Sequence, residues 1–309
     1  MEGTNIWTKT ELTALLDKYS AYIFDCDGVL YKSSDKIAHA FEFLKRLQAD
    51  PNKKIIFLTN NSLYTREDLK ERLKSIGDFE ASVEQIYTAS YIAAQYMKTY
   101  HKEVTKVYAL GKQLLADELK AAGFDVVSSQ AHNDHYEGFG YGKKADFDEF
   151  RSINGLVAAY DDKINYYKLV FASLCAQNGS VFLSTNNDHS TAFSHYPGFY
   201  LPGNGSFVKS IEASSGKTAT VTGKPNPQVM DLISANLGVS KEACVFIGDN
   251  MCTDIKFANN CGISSILVLT GVTTRESLPV LLGKQAKGET CQGDEIGLPT
   301  YVVDNLELI

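Results

Sequence analysis

The run Ala21-Tyr22-Ile23-Phe24-Asp25-Cys26-Asp27-Gly28-Val29-Leu30 decides the reading of this chain. Four apolar residues form a short buried strand, and two carboxylates follow at its C-terminal end. Acids next to a buried strand lose hydration, so a cation or hydrogen bonds must compensate them. The C-terminal end of a strand is also where open α/β sheets place their ligands. A purely structural reading, a strand followed by an acidic turn, is available because Asp and Gly are common turn residues. The rest of the chain separates the two.

The pattern of an apolar strand ending in polar residues recurs. Lys54–Leu58 runs into Thr59-Asn60-Asn61-Ser62, and Ala219–Thr222 into Gly223-Lys224-Pro225. Ala243–Ile247 runs into Gly248-Asp249-Asn250, and Ser264–Leu269 into Thr270-Gly271. Tyr301-Val302-Val303 adds a strand near the end. Helical periodicity fills the gaps over Ile37–Leu47, Arg66–Ile76 and Pro227–Leu237, the last with Pro227 at its start and Gly238 as a C-terminal cap. Continuous apolar strands alternating with helices predict a parallel sheet covered on both faces. The expected fold class is α/β, with a Rossmann-like doubly wound core. Residues 103–217 carry strand and helix runs of their own and read as a smaller α/β domain inserted into that core. The core is then discontinuous, spanning 1–102 and 218–309. Gly283–Pro299, rich in glycine and charge, reads as a surface loop.

The chain has 309 residues, with 44% hydrophobic and 22% charged, enough for two globular domains. Its net charge of −7 argues against a nucleic-acid partner. No apolar run is long enough to span a membrane. The charged stretch from Met1 to Ser20 does not read as a signal peptide. The expectation is a cytoplasmic protein with reduced thiols. Its six cysteines form no Cys-x-x-Cys pair, so zinc is not indicated, and Cys26 and Cys244 read as small core residues.

In a parallel sheet the C-terminal ends of neighbouring strands face one crevice. Asp25, Asp27, Thr59, Asn60, Asn61, Lys224, Asp249 and Asp254 can therefore meet. Crowded carboxylates repel unless a hard cation sits among them, and oxygen ligands of this kind suit Mg2+. Hydroxyl, amide and backbone N–H groups suit phosphate oxygens. A lysine adds fixed positive charge, and a carboxylate can attack phosphorus.

This constellation resembles the haloacid dehalogenase superfamily of phosphatases. It is most similar to the subgroup with a large cap between the second and third motifs, which includes 4-nitrophenylphosphatases, 2-phosphoglycolate phosphatases and pyridoxal phosphatases. The residues that carry the likeness are Asp25–Tyr31, Thr59–Ser62, Pro202–Ser206, Gly223–Pro227, Gly248-Asp249 and Leu269–Val272. The resemblance implies a Mg2+-dependent hydrolysis of a small phosphomonoester, with 2-phosphoglycolate first among candidates and 4-nitrophenyl phosphate as a model substrate. It implies that Asp25 is the nucleophile and a metal ligand. Asp27 becomes the general acid and then the base, with its backbone carbonyl facing the metal. Thr59 and Asn60 bind the phosphoryl group with Asn61 in support, Lys224 steadies phosphate and nucleophile, Asp249 ligates the metal and Asp254 stands behind it. The cap stretch from Asn186 to Tyr196, with His195, faces the active site and selects the leaving group, and a homodimer through the cap is consistent with the subgroup.

One departure stands out. The family often has Gly-Asp-Arg-x-[Asp/Glu]-Thr-Asp at the fourth motif, where this chain has Gly248-Asp249-Asn250-Met251-Cys252-Thr253-Asp254. Two alternatives keep the same core: a phosphotransferase or phosphomutase that passes the phosphoryl group to an alcohol, and a non-catalytic phosphometabolite-binding protein. A dinucleotide-dependent oxidoreductase would need a glycine fingerprint where Asp25–Leu30 stands. Gly138–Gly142 reads as a cap loop, and His132 and His135, in a polar stretch, read as surface residues.

Overall fold

The computed structural model describes residues 17–134, 148–192, 196, 198–291 and 294–308. The chain order is β1 (Ala21–Phe24), a hairpin of β2 (Tyr31–Lys32) and β3 (Asp35–Lys36), α1 (Ala40–Gln48), β4 (Lys54–Leu58), α2 (Arg66–Gly77), β5 (Ile86–Tyr87) and α3 (Ala89–Tyr100). Then come β6 (Lys106–Leu110), α4 (Gln113–Ala121), β7 (Asp125–Ser128), β8 (Gly155–Ala158), α5 (Tyr166–Gln177), β9 (Val181–Ser184), a hairpin of β10 (Ser190–Ala192) and β11 (Tyr200–Pro202), α6 (Asn204–Ser215) and β12 (Thr220–Val221). The chain closes with α7 (Gln228–Leu237), β13 (Cys244–Gly248), α8 (Lys256–Cys261), β14 (Ser264–Val268), α9 (Leu278–Ala286), a hairpin of β15 (Thr290–Cys291) and β16 (Asp294–Glu295), and β17 (Tyr301–Val303).

Two compact units result. The first comprises Met1–Thr59, Arg66–Tyr87 and Lys224–Ile309; the second comprises Asn60–Thr65 and Thr88–Gly223. In the first, a six-stranded parallel sheet runs β17-β14-β13-β1-β4-β5. Every residue of β1 is buried, as expected for a central strand covered on both faces. The order reverses direction at β1, so the ligand crevice of this sheet belongs at the C-terminal ends of β1 and its neighbours. Phe24 packs edge-on against Phe43 and at a tilt against Phe57, at ring distances of 6.0 and 6.3 Å, tying the strand that precedes Asp25 to α1 and β4.

Helix α1 starts at Ala40, later than the periodicity from Ile37 suggests. Lys36 is in the β3 strand, and His39 adopts a left-handed backbone (φ 67°) that no helix continues through. Residues 283–286, read as loop, instead complete α9, and β15–β16 follows as a hairpin.

The second unit has its own five-stranded parallel sheet, β12-β9-β8-β6-β7. It takes in residues before the expected start at 103. The apolar face of α3 (Ala93, Ala94, Tyr96 and Met97) packs in one cluster with Val107, Ala109 and Leu115, and that cluster holds the helix in this unit. Two features lie elsewhere than their sequence context suggests. The strand before Lys224 is not a core strand: β12 pairs with β9 at an edge of the second sheet. His132 is not a surface residue: it is buried, its Nδ1 hydrogen-bonds the Tyr108 hydroxyl at 3.0 Å, and its ring packs on Phe171. The turn around it is held from a distant segment, where Asn165 donates to the His132 carbonyl at 2.8 Å and to that of its polar neighbour Asn133 at 3.4 Å. His135 and Gly138–Gly142 lie outside the described residues.

Candidate active site

Strand register assembles the acidic site of the first unit. Phe24 lies opposite Ile247 on one side and Phe57 on the other. Asp25, Asp249 and Thr59 follow these three residues by one or two positions. The Asp25 amide extends the ladder by donating to the Ile247 carbonyl at 2.9 Å, and the Thr59 amide donates to the Tyr87 carbonyl at 3.1 Å. Asp25, Thr59, Lys224, Asp249 and Asp254 are all buried, whereas the Asp27 side chain is exposed.

Lys224 Nζ sits between two carboxylates, 2.7 Å from Asp25 Oδ1 and 2.7 Å from Asp254 Oδ1. It also lies 5.3 Å above the Phe246 ring. Burial opposes its charge, yet the two carboxylates overcome that and raise its pKa above the usual lysine range. Asp254 accepts from the amides of Asp249 and Asn250 through Oδ2, at 3.0 and 3.1 Å. The two oxygens of Asp254 are thus both held by N–H donors, which makes it the brace of the loop after β13. A single π-helical turn, Met251–Ile255, carries it there.

Asp249 is shaped by glycines. Its Oδ2 accepts from the Val272 amide at 2.5 Å. A Cβ on Gly271 would fall 1.7 Å from that oxygen, and one on Gly28 would fall 2.4 Å from it. Gly28 also has φ +83°, a conformation that only glycine adopts freely, and its carbonyl accepts from the Thr270 hydroxyl at 2.6 Å. These two glycines and the Val272 amide escaped the reading of the site from sequence. Both stretches were visible as motifs, but a backbone that must approach a carboxylate shows only as a glycine.

One oxygen from each of Asp25, Asp249 and Asp254 lies within 4.8 Å of the others. Burial, followed by the neighbouring charges of Asp254 and Asp249, pushes Asp25 well above the usual carboxylate range, although Lys224 opposes this. Burial, then Asp254, pushes Asp249 up to about 7. Three buried acids with one lysine leave uncompensated negative charge. Three clustered, buried carboxylates are a donor set whose chemistry suits a hard divalent cation. Among the described residues, Asp25 and Asp249 each keep one oxygen that no N–H donor holds, and those two oxygens are the direct ligands on offer.

The remaining expected residues are placed separately. Asn60 and Asn61 follow Thr59 but belong to the second unit, where the Asn60 carbonyl accepts from Asn186 Nδ2 at 2.9 Å and Asn61 Oδ1 accepts from the Leu63 amide at 2.9 Å. His195 lies outside the described residues. Among them, no helix is long and apolar enough to cross a membrane.

Comparison with known proteins agrees with this geometry. Residues 22–125 match the model of a haloacid dehalogenase-like hydrolase, and 221–308 match a second model of that kind. The chain is 30% identical to phosphoglycolate phosphatase 2 of Arabidopsis thaliana, over 88% of this chain and 89% of the relative. It is also 30% identical to the human glycerol-3-phosphate phosphatase, over 95% and 90%. Among solved structures, the p-nitrophenyl phosphatase of Archaeoglobus fulgidus superposes with a TM-score of 0.77 at 29% identity, covering 93% of this chain and 97% of that one. With two family models matched and relatives aligned over almost its full length, the chain belongs to the haloacid dehalogenase-like hydrolase family, among relatives that are phosphatases.

Proposed function

We propose that this protein is a magnesium-dependent phosphatase that hydrolyses a small-metabolite phosphomonoester through an aspartyl-phosphate on Asp25. The observation that carries the reading is Asp25 itself: a buried carboxylate at the end of the central strand, held through Oδ1 by Lys224, with Oδ2 left for chemistry.

In this reading one oxygen of the Asp25 carboxylate attacks phosphorus, the other being left to the cation, while the ester oxygen departs with a proton from Asp27. Asp27 then takes a proton from water, whose oxygen attacks phosphorus, frees Asp25 and releases orthophosphate. Asp27 is exposed where Asp25 is buried, as suits a group that exchanges protons with a leaving group and with water. Lys224 favours the ionised form of the nucleophile and holds it in place, and Asp254 holds Lys224. Thr59 and Asn60, with Asn61 behind them, bind the phosphoryl oxygens. Bound at Asp25 and Asp249, Mg2+ would neutralise the phosphoryl charge and orient it for in-line attack.

For the substrate we propose a compact anionic phosphomonoester, with 2-phosphoglycolate first. The names of the relatives support that class, and they already span phosphoglycolate and glycerol 3-phosphate. The test is phosphate release from 2-phosphoglycolate, glycerol phosphate, pyridoxal phosphate, sugar phosphates and 4-nitrophenyl phosphate, with Mg2+ and with a chelator. Turnover of 2-phosphoglycolate above the rest, lost in chelator, is the expected result. Folded protein that takes Mg2+ and releases phosphate from none of them would overturn the reading.

A further inference from the structure

We propose that Asn186 and Asn204 are positioning residues that set the backbone of Asn60 through a relay of two buried amides within the second unit. The inference rests on the reading of Asn60 as a phosphoryl ligand.

Four segments distant in sequence meet here, all in the second unit. Asn186 follows β9, is 5% exposed, and donates from Nδ2 to the Asn60 carbonyl at 2.9 Å, across 126 residues of chain. Its own carbonyl accepts from Ser184 Oγ at 2.6 Å and from Asn204 Nδ2 at 2.9 Å. Its Oδ1 accepts from the Asp188 amide at 3.2 Å, which fixes the amide plane. Asn204 opens α6 and is 2% exposed; its Nδ2 also reaches Ser184 Oγ at 3.0 Å.

The backbone around this relay has no slack. A Cβ on Gly223 would fall 2.5 Å from Asn60 Oδ1 and 2.4 Å from the Thr185 carbonyl. One on Gly205 would fall 2.5 Å from the Asn187 carbonyl, and one on Gly203 would fall 2.2 Å from the Asp188 carbonyl. The Gly203 and Gly205 amides donate to the His189 and Asp188 carbonyls, both at 2.9 Å. Close backbone approach on both sides thus locks the 185–189 turn between α6 and Asn60.

Asn204 Nδ2 also lies 3.4 Å from the Ala158 carbonyl and 3.4 Å from Thr185 Oγ1, so its amide nitrogen gathers the segments on both sides of Asn186. Asn204 Oδ1 is buried and has no hydrogen-bond partner among the described residues. Such an orphaned acceptor is destabilising, and the donor half of the same amide offsets it. What Asn204 supplies is the donor that aims the Asn186 carbonyl, and so the amide that reaches Asn60.

The experiment measures inhibition by inorganic phosphate and steady-state turnover of 4-nitrophenyl phosphate, with Mg2+ present. It compares wild type, Asn60→Ala, Asn186→Ala, Asn204→Ala and the Asn60→Ala/Asn186→Ala double variant, with a thermal melt of each. Loss of one positioning hydrogen bond should raise the phosphate inhibition constant and KM of Asn186→Ala about tenfold, with kcat changed less. Asn204→Ala, one step removed, should move the same two constants in the same direction. The double variant should be no weaker than Asn60→Ala alone, because both changes remove one interaction. Melting temperatures that fall while phosphate inhibition stays at the wild-type value in both single variants would overturn the relay and leave a structural role. If Asn186→Ala cannot be obtained folded, Asn204→Ala decides by the same criterion. If Asn60→Ala itself leaves phosphate inhibition unchanged, the reading of Asn60 fails, and the relay fails with it.

Discussion

Asp25, Asp249 and Asp254 share a space in which ionised carboxylates repel one another, and Lys224 is the counter-charge within it. Removing one partner of a buried ionic set costs about 3–5 kcal/mol, because the others are left uncompensated. Lys224→Met should therefore lower the stability of the metal-free protein by an amount of that order, read in a urea melt, and Mg2+ should recover part of it. No loss of stability in the variant would show that the lysine is not the balancing charge. Gly271→Ala tests the neighbouring contact. A methyl 1.7 Å from Asp249 Oδ2 must displace that carboxylate, so Mg2+ affinity should fall at least tenfold by titration while the helices remain by circular dichroism. Unchanged affinity would remove Asp249 from the metal site.

The pH dependence follows from the same residues. Asp249, pushed up to about 7 by burial and then by Asp254, keeps a proton in the folded metal-free protein that the unfolded chain loses near pH 4. That contribution to stability is complete below pH 4 and is lost as pH rises through 7. Asp25 shifts in the same direction. Mg2+ competes with these protons. The gain in melting temperature on adding Mg2+ should be larger at pH 8 than at pH 5.5, and an equal gain at both would contradict the assignment.

At the scale of the elements, the core strands were legible because burial on both faces leaves an uninterrupted apolar run, as in β1, β4, β13 and β14. The run at Ala219–Thr222 looked the same and was not. It forms only a two-residue strand, β12, on the edge of the other sheet, and an isolated run does not say which sheet it joins. Lys224 was still found, because a short connection after a strand end serves either sheet. Helix starts were less legible than helix faces: periodicity locates Leu44 and Leu47 but not the left-handed His39 that delays α1. Packing between elements was not legible at all. Gly77 ends α2 where a Cβ would fall 1.9 Å from the Phe41 ring of α1. Gly77→Ala should cost about 1–3 kcal/mol by overpacking, against a gain in helix propensity of less than about 1 kcal/mol. Calorimetry checks the sign.

At the scale of the whole molecule, the chain builds two parallel sheets from one pattern, and the family's chemistry collects at the C-terminal ends of the first. The acids were readable there because catalysis needs particular side chains at particular strand ends. The identity of the leaving group was not readable, since loops vary in length and composition without changing the sheet beneath. The relay from Asn204 through Asn186 to Asn60 was hidden for another reason: it joins main-chain carbonyls, which no side-chain pattern records.

The central claim is that Asp25 becomes covalently phosphorylated. The direct measurement is to quench a reaction with 4-nitrophenyl phosphate and Mg2+ in acid, reduce with borohydride, and sequence the peptide around residue 25 by mass spectrometry. An acyl phosphate there reduces to homoserine, so the account predicts homoserine at position 25 in wild type, none in Asp25→Asn, and no turnover by a variant that still melts cooperatively. Turnover by Asp25→Asn at the wild-type rate, or homoserine at another aspartate, would contradict it.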